Sequence, residues 1–478
     1  MKLLKVYISA FCMCSLSVLL NSCDDFLKEE PLDMKSSDQF WKTKADAESG
    51  VNALYFGGVP YLHNTDVGGG WTPKATMWGG IVSGLYVDKR KDRTFTTASE
   101  GCNFNIESFD DIAMKYWHEF YKGISRANFV IANIPTMTGV LDEATINNYV
   151  AQGKFFRAYG YFWLVKEFGG VPYISEPYTS TEGMYKERLS AEEVYKKIEA
   201  DLLDIVNGDA LPNKTFYENG CYVTRAMAQT LLAQVYLQWA GAPLNGGADY
   251  YGKAAQMALK VINDSPHELI HPNGTTDDLN SAYNVIKTTK ESAEIIYAKE
   301  YNYTNYSVGN SYACRSIGTD AFQWGVFHPG GDVLYNAYLP CDMLLNSYAS
   351  NDIRGHEKQF FFKQYTDAEG KTYTLNNAGN WAWFDENALI SGHDGDYNMP
   401  VFRFAEVLLI AAEGLARTNH EDNAVGGAKY YLNQVRKRAG LADETATGND
   451  LIQSILTERL HELPLEFKIW DDIRRTRL

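Results

Sequence analysis

Several groups of residues in this chain have types and spacings that chemistry uses. His267-Glu-Leu-Ile-His271 has the HExxH spacing, which holds zinc only when both histidines share one face of a helix. Pro272 disfavours helical backbone at His271, and Asn273-Gly274 reads as a turn. The string is therefore expected to be structural. Gly370-Lys371-Thr372 ends like a phosphate loop, but Tyr365 stands where the upstream glycine belongs, so a turn is expected there. Asp394, Asp396 and Asn398 open like a calcium loop, yet Met399 and Ala405 replace its glycine and closing glutamate. Glycoside hydrolysis needs two carboxylates roughly 5–10 Å apart. Nothing singles out such a pair among the 60 acidic residues. No catalytic residue, metal ligand or cofactor is assigned.

The remaining candidates are aromatic. Sugar rings present C–H faces that stack on Trp and Tyr, while amides and carboxylates take the hydroxyls, so sugar sites use aromatics on loops. Trp71 and Trp78 lie in a Gly-rich stretch, and Tyr301, Tyr303, Tyr306 and Trp324 lie in an Asn/Gly-rich one, with Trp381 and Trp383 further on. Loop context selects Trp71, Trp78, Tyr303 and Trp324, supported by Asn302, Asn305 and Asp332, as ligand-binding residues. Packing within the loops is the competing role for each. Trp117, Trp163 and Trp239 fall inside helical patterns and belong to a core.

Cys23 carries a different chemistry. Lys2 and Lys5 form a basic head, Val6 to Leu20 is apolar apart from Ser and Cys, and Leu20-Asn21-Ser22 precedes Cys23. The stretch is short for a membrane span and suits a signal peptide over residues 1–22. Its end resembles a lipobox, whose cysteine is lipidated and becomes the first mature residue. Removing 22 residues leaves 456 and takes 44 cations to 42 against 60 acids, a net charge of −18. So acidic a surface repels phosphate backbones, and nucleic-acid binding is not expected. Cys102, Cys221, Cys314 and Cys341 show no CxxC spacing, and sequence cannot pair them.

The elements that must position these residues are mostly helices. Helical spacing is expected over 114–134, 146–168, 222–239 and 250–263, with a capping box at Ser190–Glu193 opening another helix to about Val206. Gly169-Gly170 and Pro172 end the second. Ala228, Leu232, Ala233 and Tyr236 set small residues beside large ones, as in tetratricopeptide pairs that bury their faces only against neighbours. Residues 266–400 read as a loop-rich lobe with short strands such as Glu294–Ala298, before helices return over 402–417, 424–439 and 450–462. The fold class is mainly α: tetratricopeptide-like helical pairs as a scaffold, with a loop-rich lobe containing short strands. The chain divides into 1–22, an N-terminal helical region 23–265 and a C-terminal region 266–478.

Ordered motifs carry a family likeness. Phe402-Arg-Phe-Ala-Glu-Val-Leu-Leu409, Ala412-Glu413, Tyr431-Leu-Asn-Gln-Val-Arg436 and Arg438-Ala-Gly-Leu441 are followed by Glu458-Arg459, Glu462-Leu463, Glu466, Trp470, Asp472 and Arg475. Cys23-Asp-Asp-Phe-Leu27 and Gly153–Ala158 through Phe168–Ile174 add to them. Together they resemble the SusD/RagB family of outer-membrane nutrient-binding lipoproteins. The resemblance implies a non-catalytic lipoprotein anchored in the outer membrane and facing outward. It implies a partner, a SusC-like TonB-dependent transporter, to which glycans (in some members, peptides) are delivered. The family has Gly and Arg near Phe467 and Ile469, so packing is expected to replace one contact there. Asp24 and Asp25 behind the lipidated cysteine accompany surface export in such envelopes. Members continue past the position of Leu478, so the resemblance leaves open whether the sequence is cut short within the C-terminal lobe. The rival from another class is a surface glycan-cleaving or protein-cleaving enzyme. A scaffold without ligand is a third reading, and would bury the loop aromatics.

Overall fold

The computed structural model describes residues 39–58, 60, 80–87, 111–178, 180, 182–271, 277–313, 316–328 and 338–477. Cys23, Trp71, Trp78, Asp332, Cys102 and Cys314 lie outside these residues.

The scaffold begins with α1 (Lys44–Asn52), followed by the short β1 (Tyr86–Val87), α2 (Asp111–Asn133), α3 (Glu143–Phe168), α4 (Ala191–Asn207), α5 (Arg225–Ala240) and α6 (Gly247–Asp264). Side chains fix where these helices start. The Asp142 carboxylate accepts from Thr145 N at 2.7 Å, and Ser190 with Glu193 forms the expected capping box. Gly169, at φ +68°, closes α3. Helices neighbouring in sequence pack in series, α2 on α3, α3 on α4, α4 on α5 and α5 on α6. Ala228, Leu232, Ala233 and Tyr236 are buried in α5, as their alternation of sizes predicts. Two glycines set the α2–α3 approach. A Cβ on Gly153 would stand 2.9 Å from Ile131 Cγ1, and one on Gly160 would stand 2.9 Å from Ile124 Cγ1. Trp239 is buried, while Trp117 and Trp163 pack partly buried against the same core.

The lobe is a long excursion between two paired strands. It runs through α7 (Ala282–Thr288), β2 (Ile295–Lys299), α8 (Tyr303–Tyr306), β3 (Leu339–Pro340), α9 (Asp342–Leu345), β4 (Phe361–Thr366), β5 (Thr372–Asn380), α10 (Glu386–Ser391) and β6 (Met399–Arg403). β2 and β6 pair antiparallel, from Ile295 opposite Arg403 to Lys299 opposite Met399, and so close the base of the excursion. β4 and β5 form a hairpin whose turn holds Gly370, at φ +83°. The turn read at Gly370-Lys371-Thr372 is that hairpin tip. β1 pairs with β3, tying the segment ahead of α2 to the lobe.

β6 runs straight into α11 (Phe404–Ala416), followed by α12 (Ala428–Arg438), α13 (Gly448–Glu462) and α14 (Ile469–Thr476). α11, buried on all sides, packs on α6, α12 and α13 and completes the helical series.

Buried charges fasten lobe to scaffold. Glu294, ahead of β2, accepts from Arg403 at 2.7 Å and also pairs with Arg438. Glu462 bonds Arg403 at 3.0 Å, Arg438 at 2.5 Å and Arg354 at 3.2 Å. Arg354 reaches on to Asp352 at 2.8 Å and Glu458 at 2.6 Å, and Arg403 Nε to Glu466 at 2.7 Å. A second cluster joins Arg475 to Glu413 and Asp472, with Arg459 on Asp472. Most of the charged residues in the C-terminal motifs therefore fill these interior pairs. Phe467 takes φ +60°, a backbone that favours glycine. Its ring packs between Tyr312 and Trp383, with centroids 5.9 Å from each.

Candidate functional site

Residues that resembled metal or phosphate sites turn out to hold the fold. The segment around His267 is not helical. His267 is buried, with Nδ1 2.8 Å from the carbonyl of Ala293. Burial pushes its pKa below the usual histidine value. Asp396 accepts from the backbone N–H groups of Tyr303 and Thr304 and from the Thr304 hydroxyl at 2.6 Å. Against burial, which acts upward, these donors hold its carboxyl below the usual range. Asn398 accepts from Tyr301 N at 2.9 Å and donates to Glu300 at 2.7 Å. The acidic run 394–398 therefore clamps the loop that carries α8.

That clamp sets the geometry of three of the candidate residues. Asn302, Tyr303 and Asn305 sit on the single turn of α8. The Asn302 carboxamide oxygen caps it, accepting from Asn305 N at 3.0 Å. Tyr303 is half-buried and stacks on His393, with centroids 4.4 Å apart and planes 19° apart. Asn305 is exposed, and so is Tyr306, 76% open to solvent. Tyr301 is buried and serves the lobe's interior instead.

Trp324 stands in a second aromatic group. It stacks on Tyr373 at 4.9 Å and 21°, and lies near-parallel to Tyr365 at 6.3 Å and 8°. Tyr365 donates to Glu386 at 2.5 Å, and Tyr373 donates to Asp367 at 3.1 Å. Asp320, four residues before Trp324, accepts from Asn376 N at 2.9 Å. The hairpin β4–β5 therefore supplies the partners that hold Trp324. Trp324 remains only part-buried. Trp383 is buried in the lobe's core. Trp381 has Lys287 over its ring at 4.1 Å, and its Nε1 donates to Asn284 at 2.7 Å.

α10 joins the two groups. Leu389 packs with the Trp324 cluster, and His328 N donates to its carbonyl at 2.8 Å. His393, just past the left-handed Gly392 that ends α10, carries the stack on Tyr303. Tyr365, Tyr373 and His393 are site residues that loop context did not select. Tyr365 and Tyr373 lie in strand-like runs, and their signal was the aromatic run Phe360–Phe362 ahead of Tyr365 and the alternation of Thr372–Leu375.

Helices that bury one another in series, carrying a loop-built lobe with part-exposed aromatics, define a helical-scaffold protein with a raised aromatic platform. Two family models match this chain, one described as "SusD family" over residues 355–477 and one as "Starch-binding associating with outer membrane" over residues 81–237. The chain belongs to the SusD/RagB family. It is 27% identical over 481 residues to SusD-like protein P2 of Formosa agariphila, covering 97% of this chain and 89% of that protein. A SusD superfamily protein from Parabacteroides distasonis shares the fold with a TM-score of 0.79 and 25% identity, over 91% of this chain and 88% of that one. Surface glycan-binding protein A from Bacteroides thetaiotaomicron, solved in complex with laminarihexaose, aligns with a TM-score of 0.70 at 22% identity, over 91% of this chain and 90% of that one.

Proposed function

We propose that this chain is a non-catalytic glycan-binding lipoprotein of the outer membrane, anchored through Cys23 and facing the exterior. It captures oligosaccharide and passes it to a SusC-like TonB-dependent transporter. The observation that carries the reading is the aromatic platform of the lobe. Trp324 is braced by Tyr373 and Tyr365 and left part-exposed, and Tyr303 and Asn305 are held on a clamped turn beside α10. Braced aromatic faces next to amides and carboxylates suit stacking on sugar rings. The relative solved with laminarihexaose has the same fold, and the description "associating with outer membrane" supports the location. The non-catalytic assignment draws support from the relatives, which are named SusD-like and surface glycan-binding proteins.

The test is isothermal titration of residues 24–478 against plant, host and microbial polysaccharides and a peptide digest. Saturable heat with a glycan, without product formation, is expected. Trp324→Ala should weaken it about tenfold or more, the loss of one stacking face. Heat with peptides alone, or cleavage of the chain titrated, would overturn the reading.

A further inference from the structure

The enclosed spaces of the described residues differ greatly in size. Two lie among the buried charges and under the lobe and hold about 50 and 60 Å³, room for a water or two. A third, open cleft of about 350 Å³ lies on the helical scaffold, between α1, the first turns of α3 and the turn 215–222. That size falls in the range of small-molecule sites.

The cleft is built of amides and phenols over one apolar floor residue, Val51. Its inner wall is a closed hydrogen-bond chain. Gln152, 3% exposed, accepts from the Tyr55 hydroxyl at 2.6 Å and donates to Asn148 at 2.7 Å, and Asn148 donates to the carbonyl of Ala210 at 2.9 Å. Tyr55 in turn accepts from Val223 N at 2.9 Å. On the outer wall the Tyr222 hydroxyl donates to Asn52 Oδ1 at 2.9 Å, and the Asn219 amino group donates to the carbonyls of Tyr222 and Val223, both at 3.1 Å. The Asn52 amino group, the Asn219 carboxamide oxygen and the Tyr149 phenol remain for a ligand, and so does one oxygen of the exposed Glu48 carboxylate, whose other oxygen lies 3.7 Å from Lys44 Nζ. The turn that presents Asn219 and Tyr222 is strained, with Gly220 at φ +63° and Cys221 at φ +65° in succession. A non-glycine residue held there costs on the order of 1 kcal/mol, and such strain clusters at binding sites.

No lysine or arginine lines the cleft, which disfavours anions. A single carboxylate is a poor cation site, and one apolar residue cannot hold a lipid chain. A neutral polyhydroxylated ring matches: amides offer donor and acceptor together, the carboxylate accepts from adjacent hydroxyls, and Tyr149 and Tyr222 supply ring surface. We propose that this cleft is a second carbohydrate site, taking one or two sugar units of a neutral glycan, built by the scaffold rather than by the lobe. Its ligand class rests on the function proposed above, whereas its geometry shares no residue with the Trp324 platform.

Hydrogen exchange on the full mature chain separates the two sites. Maltohexaose, laminarihexaose and a xylogluco-oligosaccharide are each added at millimolar concentration. With at least one of them, amides of 44–52 and 216–223 should gain protection independently of the lobe. Asn52→Ala/Tyr149→Phe, which keeps the part-buried Tyr149 ring in its packing, should abolish that footprint, or weaken it about tenfold, the loss of one or two hydrogen bonds. It should leave protection in the lobe and the melting temperature in place. Trp324→Ala should do the reverse. Protection confined to the lobe with every sugar would overturn the cleft and leave the platform standing. Protection confined to the cleft would support this proposal and overturn the platform. No protection anywhere would overturn both.

Discussion

At the scale of single residues, burial decides behaviour more than residue type does. His461 stacks on Tyr348 at 4.4 Å, and its Nε2 lies 3.0 Å from the Ser347 hydroxyl. Burial, and then the Arg354 guanidinium, push its pKa down to about 4. The folded state thus keeps His461 neutral while the unfolded chain takes up a proton near pH 6.5. The stability this confers is whole above about pH 6.5 and is lost as pH falls toward 4. Thermal melting should reveal an acid limb in that window worth about 2–3 kcal/mol. His461→Gln should flatten it; a limb unchanged in that variant would locate the proton uptake elsewhere. Glu413 and Glu462, held below the usual carboxyl range against burial, add their loss only under about pH 4.5. The residue scale also limited what the sequence could disclose. Tyr301, Tyr303 and Trp324 share one Asn/Gly-rich stretch, from which loop context selected the last two without naming a partner for any of them; Tyr301 is buried and Trp324 is part-exposed. The difference lies in Asn398 and in Tyr373, about 100 and 50 positions away, and no local pattern reports such partners.

At the scale of elements, the chain was largely legible. The expected helices over 114–134, 146–168 and 250–263 appear as α2, α3 and α6 with ends shifted by a few residues. Periodicity, the Ser190 capping box and the Gly169 stop are local signals, and local signals survive into the fold. α1 and α14 went unread because each is short; only Thr43 and Asp46, a reciprocal cap, marked the first. Element contacts also set tolerances. Gly160 is where α3 meets Ile124 of α2, with 2.9 Å left for a side-chain carbon. Gly160→Val should push the helices apart and cost about 1–3 kcal/mol, whatever it gains in helix propensity. Urea unfolding checks this, and a variant as stable as the parent would mean that α2 and α3 slide without penalty.

At the scale of the whole molecule, charged residues that a reader of motifs would assign to function are structural. Arg403, Arg438, Glu458, Glu462 and Arg475 lie inside. Taking charges out of water is costly, and the pairs stand because each of these carboxylates and guanidiniums meets more than one partner residue. Removing one member leaves the others uncompensated. Arg438→Met should therefore cost about 3–5 kcal/mol, read as a loss of melting temperature with any sugar affinity kept by the molecules still folded. A near-neutral change would show that Glu294 and Glu462 find other partners or bind protons. The family likeness was legible because this interior framework is written in residues of fixed type. The proposed platform was legible only in part: Tyr303, Asn302, Asn305 and Trp324 were selected from their loop context, but the β4–β5 hairpin and α10 that brace them are brought there only by the finished fold.

The pairing of α3 with α14 bears on how the molecule is made. Lys166 bonds Asp471 at 2.6 Å and Glu167 bonds Arg474 at 2.9 Å, across 305 and 307 positions. A chain synthesised amino end first presents Lys166 and Glu167 long before their partners arrive. Through most of that synthesis the end of α3 stays wet and unlatched. Final closure waits for the last stretch of polypeptide, so a nascent chain stalled short of α14 should be degraded readily by an added protease that the finished one resists.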